Sequence, residues 1–263
     1  MTNSTSRIVV AVVLLPVVLG LVYLGGWWMF ALAGIAASVS MHEYWLLARP
    51  LAPLAPAGYV GVVLALVGAE VGGLNWMVGG VLSTFVLAFL LKAISEARQA
   101  STIAISGTVM GAAWIGLGLG FLILLRELPD HGRLIAFTVL IAVWAGDTFA
   151  YFGGRLVGRH KMAPRTSPGK TWEGFVFGTA ATIFVAFVAL YKQDTLTIPQ
   201  SIVLGVVVAV AAPLGDLFES LLKRDMEVKD TGTLLGGHGG MLDRIDALLF
   251  AAPAAYFTIL AFS

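Results

Sequence analysis

Mostly apolar stretches of 16 to 24 residues follow one another along nearly all of this 263-residue chain, broken only by short polar segments. Nothing else in the sequence narrows the fold as much. About 20 apolar residues wound as an α-helix cross the roughly 30 Å of bilayer hydrocarbon. Inside lipid the backbone must satisfy its own hydrogen bonds, which leaves helices and closed barrels. The stretches are continuous rather than alternating, and that argues against a barrel. Only 12% of residues are charged, against ~25% in soluble domains. The predicted fold is an all-α polytopic integral membrane protein with about nine transmembrane helices. They fall near residues 8–25, 27–48, 58–73, 75–94, 102–125, 133–153, 173–191, 199–222 and 244–262.

The charges orient these helices. Placing the N-terminus in the cytoplasm puts 13 of the 16 Lys and Arg residues inside, as the positive-inside rule requires. The chain then divides into N-terminal transmembrane helices (1–131, about five spans) and a C-terminal catalytic region (132–263). The latter carries two cytoplasmic loops, 154–172 and 216–243. The run Ile8–Leu24 follows a short polar start and reads as a first span rather than a cleaved signal. Pro16 and Pro213 are expected to kink their helices. Cysteine is absent, which excludes thiolate metal sites and cysteine nucleophiles. The net charge of +1 gives no general attraction to nucleic acid.

Seven of the 15 acidic residues crowd into 216–246, which reads DLFESLLKRDMEVKDTGTLLGGHGGMLDRID. Ionisable groups at a membrane are costly to desolvate and usually serve a ligand, a metal or an ion path. Asp216, Glu219, Ser220 and Lys223 share one helical face. Such a face suits a divalent cation carrying phosphate, or simply the exit of a helix into water. Asp243 and Asp246, three apart at the start of the last span, also point the same way. An ordinary N-cap would explain one of them, but not both together with Arg244. Between the two groups, glycines flank His238, and backbone N–H groups there can meet an anion.

The other polar loop holds Arg155, Arg159, Lys161, Arg165 and Lys170. Its plain reading is topology and contact with anionic lipid. Asp147 lies inside the preceding span, where it either pairs with a cation or packs by hydrogen bonding. Ser167-Pro168-Gly169-Lys170-Thr171 is similar to the tail of a P-loop, but Pro164 stands where that motif needs its first glycine. Gly-Lys-Thr can still offer donors to phosphate, and Thr171 and Glu173 can cap the next helix. His42, Glu43 and Glu70 are ionisable residues within apolar spans, with no role evident from sequence. An ion-coupled transporter would use Asp147, Glu70 and His42 as a relay, but the paired broken helices of such folds are not evident.

The stretch from Ser220 onward resembles the phosphatidate cytidylyltransferase (CDP-diacylglycerol synthase) family. The matching residues are Ser220, Lys223-Arg224, Lys229-Asp230, His238-Gly239-Gly240 and Asp243-Arg244-Ile245-Asp246. Gly146-Asp147, Gly153-Gly154-Arg155 and Ser167 to Gly174 are similar to the family's second block, so the resemblance covers roughly 144–250. It implies transfer of the cytidylyl group of CTP to phosphatidate at the cytoplasmic face of the cell membrane. It also implies a Mg²⁺-dependent enzyme, with a second cation left open, working as a homodimer among membrane lipids. Asp216, Asp243 and Asp246 would be the metal ligands. Lys223, Arg224, Lys229, Asp230, His238 and Arg244 would complete the catalytic set. Asp147, Arg155, Ser167, Lys170, Thr171, Glu173, Gly239 and Gly240 would bind the nucleotide and headgroup. A CTP-dependent lipid kinase, of polyprenol type, would share the nucleotide and metal site and is the alternative.

Overall fold

A computed structural model of the chain describes residues 3–95, 101–129, 131–191, 195–228, 231–232 and 239–262, with side chains from Leu14 onward. The described residues are overwhelmingly helical. The elements are α1 (Asn3–Leu24), α2 (Gly26–Leu47), a 3₁₀ turn (Arg49–Leu51), α3 (Ala55–Ala93) and α4 (Ser101–Arg126). Then follow α5 (Gly132–Val157), β1 (Lys161–Ala163), β2 (Ser167–Thr171), α6 (Trp172–Leu190), α7 (Ile198–Asp225) and α8 (Leu242–Leu260). Five of them, α3 to α7, are long and apolar enough to cross a membrane.

Each of the nine predicted stretches falls on helix, because α3 is folded in two. At Gly73 the backbone takes φ 72°, ψ −157°, a region open essentially only to glycine. The two arms run back along each other so closely that a Cβ on Gly80 would strike the backbone of Leu64 and Ala65. Two departures from the sequence reading concern the polar segment 154–172. It begins later than expected, because α5 continues through Leu156 and Val157. It is also not purely helix and loop: β1 and β2 pair as an antiparallel hairpin, with Lys161 opposite Thr171.

The chain forms two compact units, Met1–Glu127 with Asp225–Ile245, and Leu128–Arg224 with Asp246–Ser263. The sequence reading kept 132–263 together, whereas 225–245 groups with the N-terminal helices. In the first unit α4 is the centre, with Ile115, Ile123 and Leu125 buried. Tyr44 of α2 lies against Gly111, where a side chain would meet its ring, and its hydroxyl donates to the Gly107 carbonyl at 2.6 Å. Arg126 closes the far end by donating to the carbonyls of Val22 and Tyr23. In the second unit α5 and α6 pack backbone to backbone at Gly146 and Gly178. Thr182 donates across this seam to the Ala142 carbonyl at 3.2 Å.

Candidate active site

The hairpin and α7 bring together polar residues far apart in sequence. Thr171 ends β2 and caps α6, its hydroxyl accepting from Gly174 N at 3.1 Å. Glu173 in the first turn of α6 accepts from the backbone N–H groups of Arg159 and His160, and pairs with His160 Nδ1 at 2.6 Å. These contacts set the hairpin's course. Lys170, one residue before the cap, then reaches α7. Its Nζ lies 2.8 Å from Asp216 Oδ2 and donates to the Pro213 carbonyl at 3.3 Å. Arg224 makes a second tether, Nε donating to the Thr166 carbonyl at 3.2 Å. The two polar segments singled out in the sequence therefore meet at Lys170 and Asp216.

Around that pair the carboxylates converge. Gly215 lets α7 approach α8 so closely that a Cβ there would collide with the Asp246 carbonyl. Asp246, 8% exposed, comes within hydrogen-bonding reach of Glu219, 1% exposed, and close to Asp216. Ser220 donates to Asp216 Oδ1 at 3.3 Å, and Lys223 pairs with Glu219 at 2.8 Å. Asp147 lies near Asp216 and Lys170. It lines a small cleft between α5, α6 and α7. Glu219 and Asp246 are buried together, and carboxylates held close in a poorly solvated place repel strongly.

Asp243 occupies a different setting, within the first unit. Its Oδ2 accepts from Thr231 N (3.3 Å), Thr231 Oγ1 (3.0 Å) and Gly240 N (2.8 Å). It thus reaches back to hold the glycine segment before α8. Gly239 sits beside it at φ 80°, where a Cβ would come within 2.9 Å of the same carboxylate. Arg155 is exposed and donates to its neighbour Tyr151. Ser167 opens β2, and Arg244 lies exposed in the first turn of α8. Lys229, Asp230 and His238 lie outside the described residues.

Two assignments read differently in three dimensions. Lys223 and Lys170, expected to hold phosphate, already engage Glu219 and Asp216, so each neutralises a carboxylate of the cluster. Glu219 and Glu43 were absent from the expected site residues. The sequence put Glu219 on the Asp216 face, but the partner that makes it part of a site comes from α8. Glu43 carried no signal at all.

A Mg²⁺ ion fits this donor set. Oxygen donors predominate, which is the donor type Mg²⁺ takes. Among the described residues no three His, Asp or Glu side chains form a ready-made cage. Mg²⁺ seldom uses one, taking one or two carboxylates and completing its shell with water and substrate phosphates.

Residues 5–262 match the sequence model of the cytidylyltransferase family. Among relatives, the phosphatidate cytidylyltransferase of Staphylococcus haemolyticus is 31% identical over 94% of this chain and 95% of its own length. That of Mycobacterium tuberculosis is 35% identical over 87% of this chain and 74% of its own. The phosphatidate cytidylyltransferase of Haemophilus influenzae reaches 45% identity over a shorter region, 48% of this chain and 45% of that protein. The match thus spans about half of that relative's length.

Proposed function

Because the chain belongs to the cytidylyltransferase family, we propose that it is a phosphatidate cytidylyltransferase. It transfers the cytidylyl group of CTP to phosphatidate, giving CDP-diacylglycerol and pyrophosphate. The observation that carries this reading is the carboxylate cluster of Asp216, Glu219 and Asp246 with Lys170 and Lys223 bound into it. Four of its five residues, Asp216, Asp246, Lys170 and Lys223, are ones that the family resemblance picks out.

In the reaction a phosphate oxygen of phosphatidate attacks the α-phosphorus of CTP. The new O–P bond forms as the bond to the β-phosphate oxygen breaks, and pyrophosphate leaves in line. The attacking oxygen is already anionic, so no strong base is needed. What the site must supply is position and positive charge against two repelling anions. Asp216 and Asp246 would hold Mg²⁺, with Asp243 as the third carboxylate that the resemblance assigns to it. The ion supplies charge neutralisation for the phosphates. Lys170 orients Asp216 through its ion pair, and Lys223 does the same for Glu219. Arg224 fixes the hairpin beside them, and its guanidinium stays exposed. Asp147 gives the cleft a polar wall below this point.

The chain is a multi-pass membrane protein by its apolar helices. The excess of Lys and Arg on one side supports a cytoplasmic site, where CTP is available, with the N-terminus on the same side. The homodimer belongs to the same proposal, supported by the family resemblance. Purified protein in detergent, given phosphatidate and each of four nucleoside triphosphates, tests the reading. CDP-lipid should form with CTP, at least tenfold faster than product from ATP, GTP or UTP. Equal use of all four would reject it.

A further inference from the structure

Glu43 lies in α2, 198 residues before Met241, yet its carboxylate is buried among the motif residues. Oε1 accepts from Met241 N at 2.9 Å and Oε2 from Leu242 N at 2.8 Å. Thr231 Oγ1 stands 3.5 Å from Oε2 and 3.0 Å from Asp243 Oδ2. The glycines around it leave it room: a Cβ on Gly232 or Gly240 would come within 2.7 or 2.6 Å of its carboxylate oxygens.

These contacts answer a need of α8. The first N–H groups of a helix have no partner within it. The residues leading into α8, Gly239-Gly240-Met241, bring no Ser, Thr, Asp or Asn to cap it. Glu43 provides the cap from another helix, as an anion at the positive end of the helix dipole. It also ties Met241 and Leu242 to α2, within the unit that holds all three.

We propose that Glu43 is a positioning residue for cytidylyl transfer. It caps α8 and so fixes the start of the Asp243-Arg244-Ile245-Asp246 turn, beside Thr231, whose hydroxyl donates to Asp243. The proposal rests on the reading of the chain as a phosphatidate cytidylyltransferase. Its two carboxylate oxygens accept from the two N–H groups at once. Glu43→Gln keeps the shape but turns an NH₂ toward one of these donors.

The test uses the full chain in detergent micelles and compares wild type with Glu43→Gln. Steady-state kinetics are read beside hydrogen exchange of peptides covering 239–246. The expected result is a fall in kcat of about 10- to 100-fold, the scale of a misplacement of about 1 Å in a site. KM for CTP and phosphatidate should stay within about threefold. Exchange at Met241 and Leu242 should quicken at least tenfold while α5 and α6 peptides are unchanged. Unaltered exchange at 239–246, or kcat within twofold of wild type, would overturn the proposal. If Glu43→Gln does not fold, Glu43→Asp, whose carboxylate is one methylene further from the two N–H groups, reads the same cap, with a smaller loss of kcat and faster exchange over 239–246. Wild-type-like kinetics and exchange in that variant would equally overturn it. A wild-type chain that makes no CDP-lipid contradicts the assigned reaction instead, and leaves the exchange result to judge the cap.

Discussion

At the scale of residues, the cluster at Asp216, Glu219 and Asp246 is expensive to keep. Burying carboxylates against one another opposes folding, and such strain persists where function needs it. Asp246→Asn should therefore have opposite effects on two measurements. Activity should fall by about 100-fold or more, the scale of losing an electrostatic group from such a site. The melting temperature without divalent cation should rise by about 2–4 °C, the shift that ~1 kcal/mol produces in a chain of this size. A lowered melting temperature with activity retained would mean that Asp246 is a structural partner of Glu219 and nothing more. Much of this residue-level picture was legible. The spacing of Asp216, Glu219 and Lys223 put them on one face, and the family resemblance named Asp243 and Asp246. The partnerships were not legible. Lys170 was read as a phosphate ligand because sequence cannot show that a residue 46 positions before Asp216 pairs with it. Glu43 looked like one stray acid in an apolar span, since its cap lies almost 200 residues away.

At the scale of elements, glycine sets which helices can meet. Gly215 is where α7 touches the first turn of α8, and a methyl group there would drive against the Asp246 carbonyl. Gly215→Ala should destabilise by about 1–3 kcal/mol, the usual cost of overpacking. It should also lower activity well beyond its effect on melting, because Asp246 moves away from Asp216. Gly79→Ala is the matched control. It lies exposed in α3 with nothing within 4 Å of an added Cβ, and both measurements should stay near wild type. Equal effects at the two positions would remove the close approach from the argument. The apolar stretches located the helices well, because a membrane demands about 20 residues of uniform character. They could not show the β1–β2 hairpin, whose strands are three and five residues long and carry Lys, Ser and Pro rather than an alternating apolar pattern. Nor did they show that one continuous helix folds at Gly73. There the two predicted spans were right in place, and the turn is a single glycine rather than a loop.

At the scale of the whole molecule, the account places its chemistry on the side where the cations collect. That can be read with one introduced thiol, because the chain has no cysteine of its own. Lys161→Cys puts it on the exposed first strand of the hairpin. A membrane-impermeant maleimide should label it in inverted vesicles and leave it unlabelled in intact cells or spheroplasts. Labelling from outside would reverse the orientation and separate the site from cytoplasmic CTP. The central claim is the reaction itself. The most direct measurement follows label from CTP into lipid, using purified protein with phosphatidate and CTP carrying ³²P at either the α or the γ position. The account predicts that α-label enters the lipid, that γ-label leaves as pyrophosphate, and that the two appear one for one. Gamma-label in the lipid with CDP released would contradict it and identify a lipid kinase.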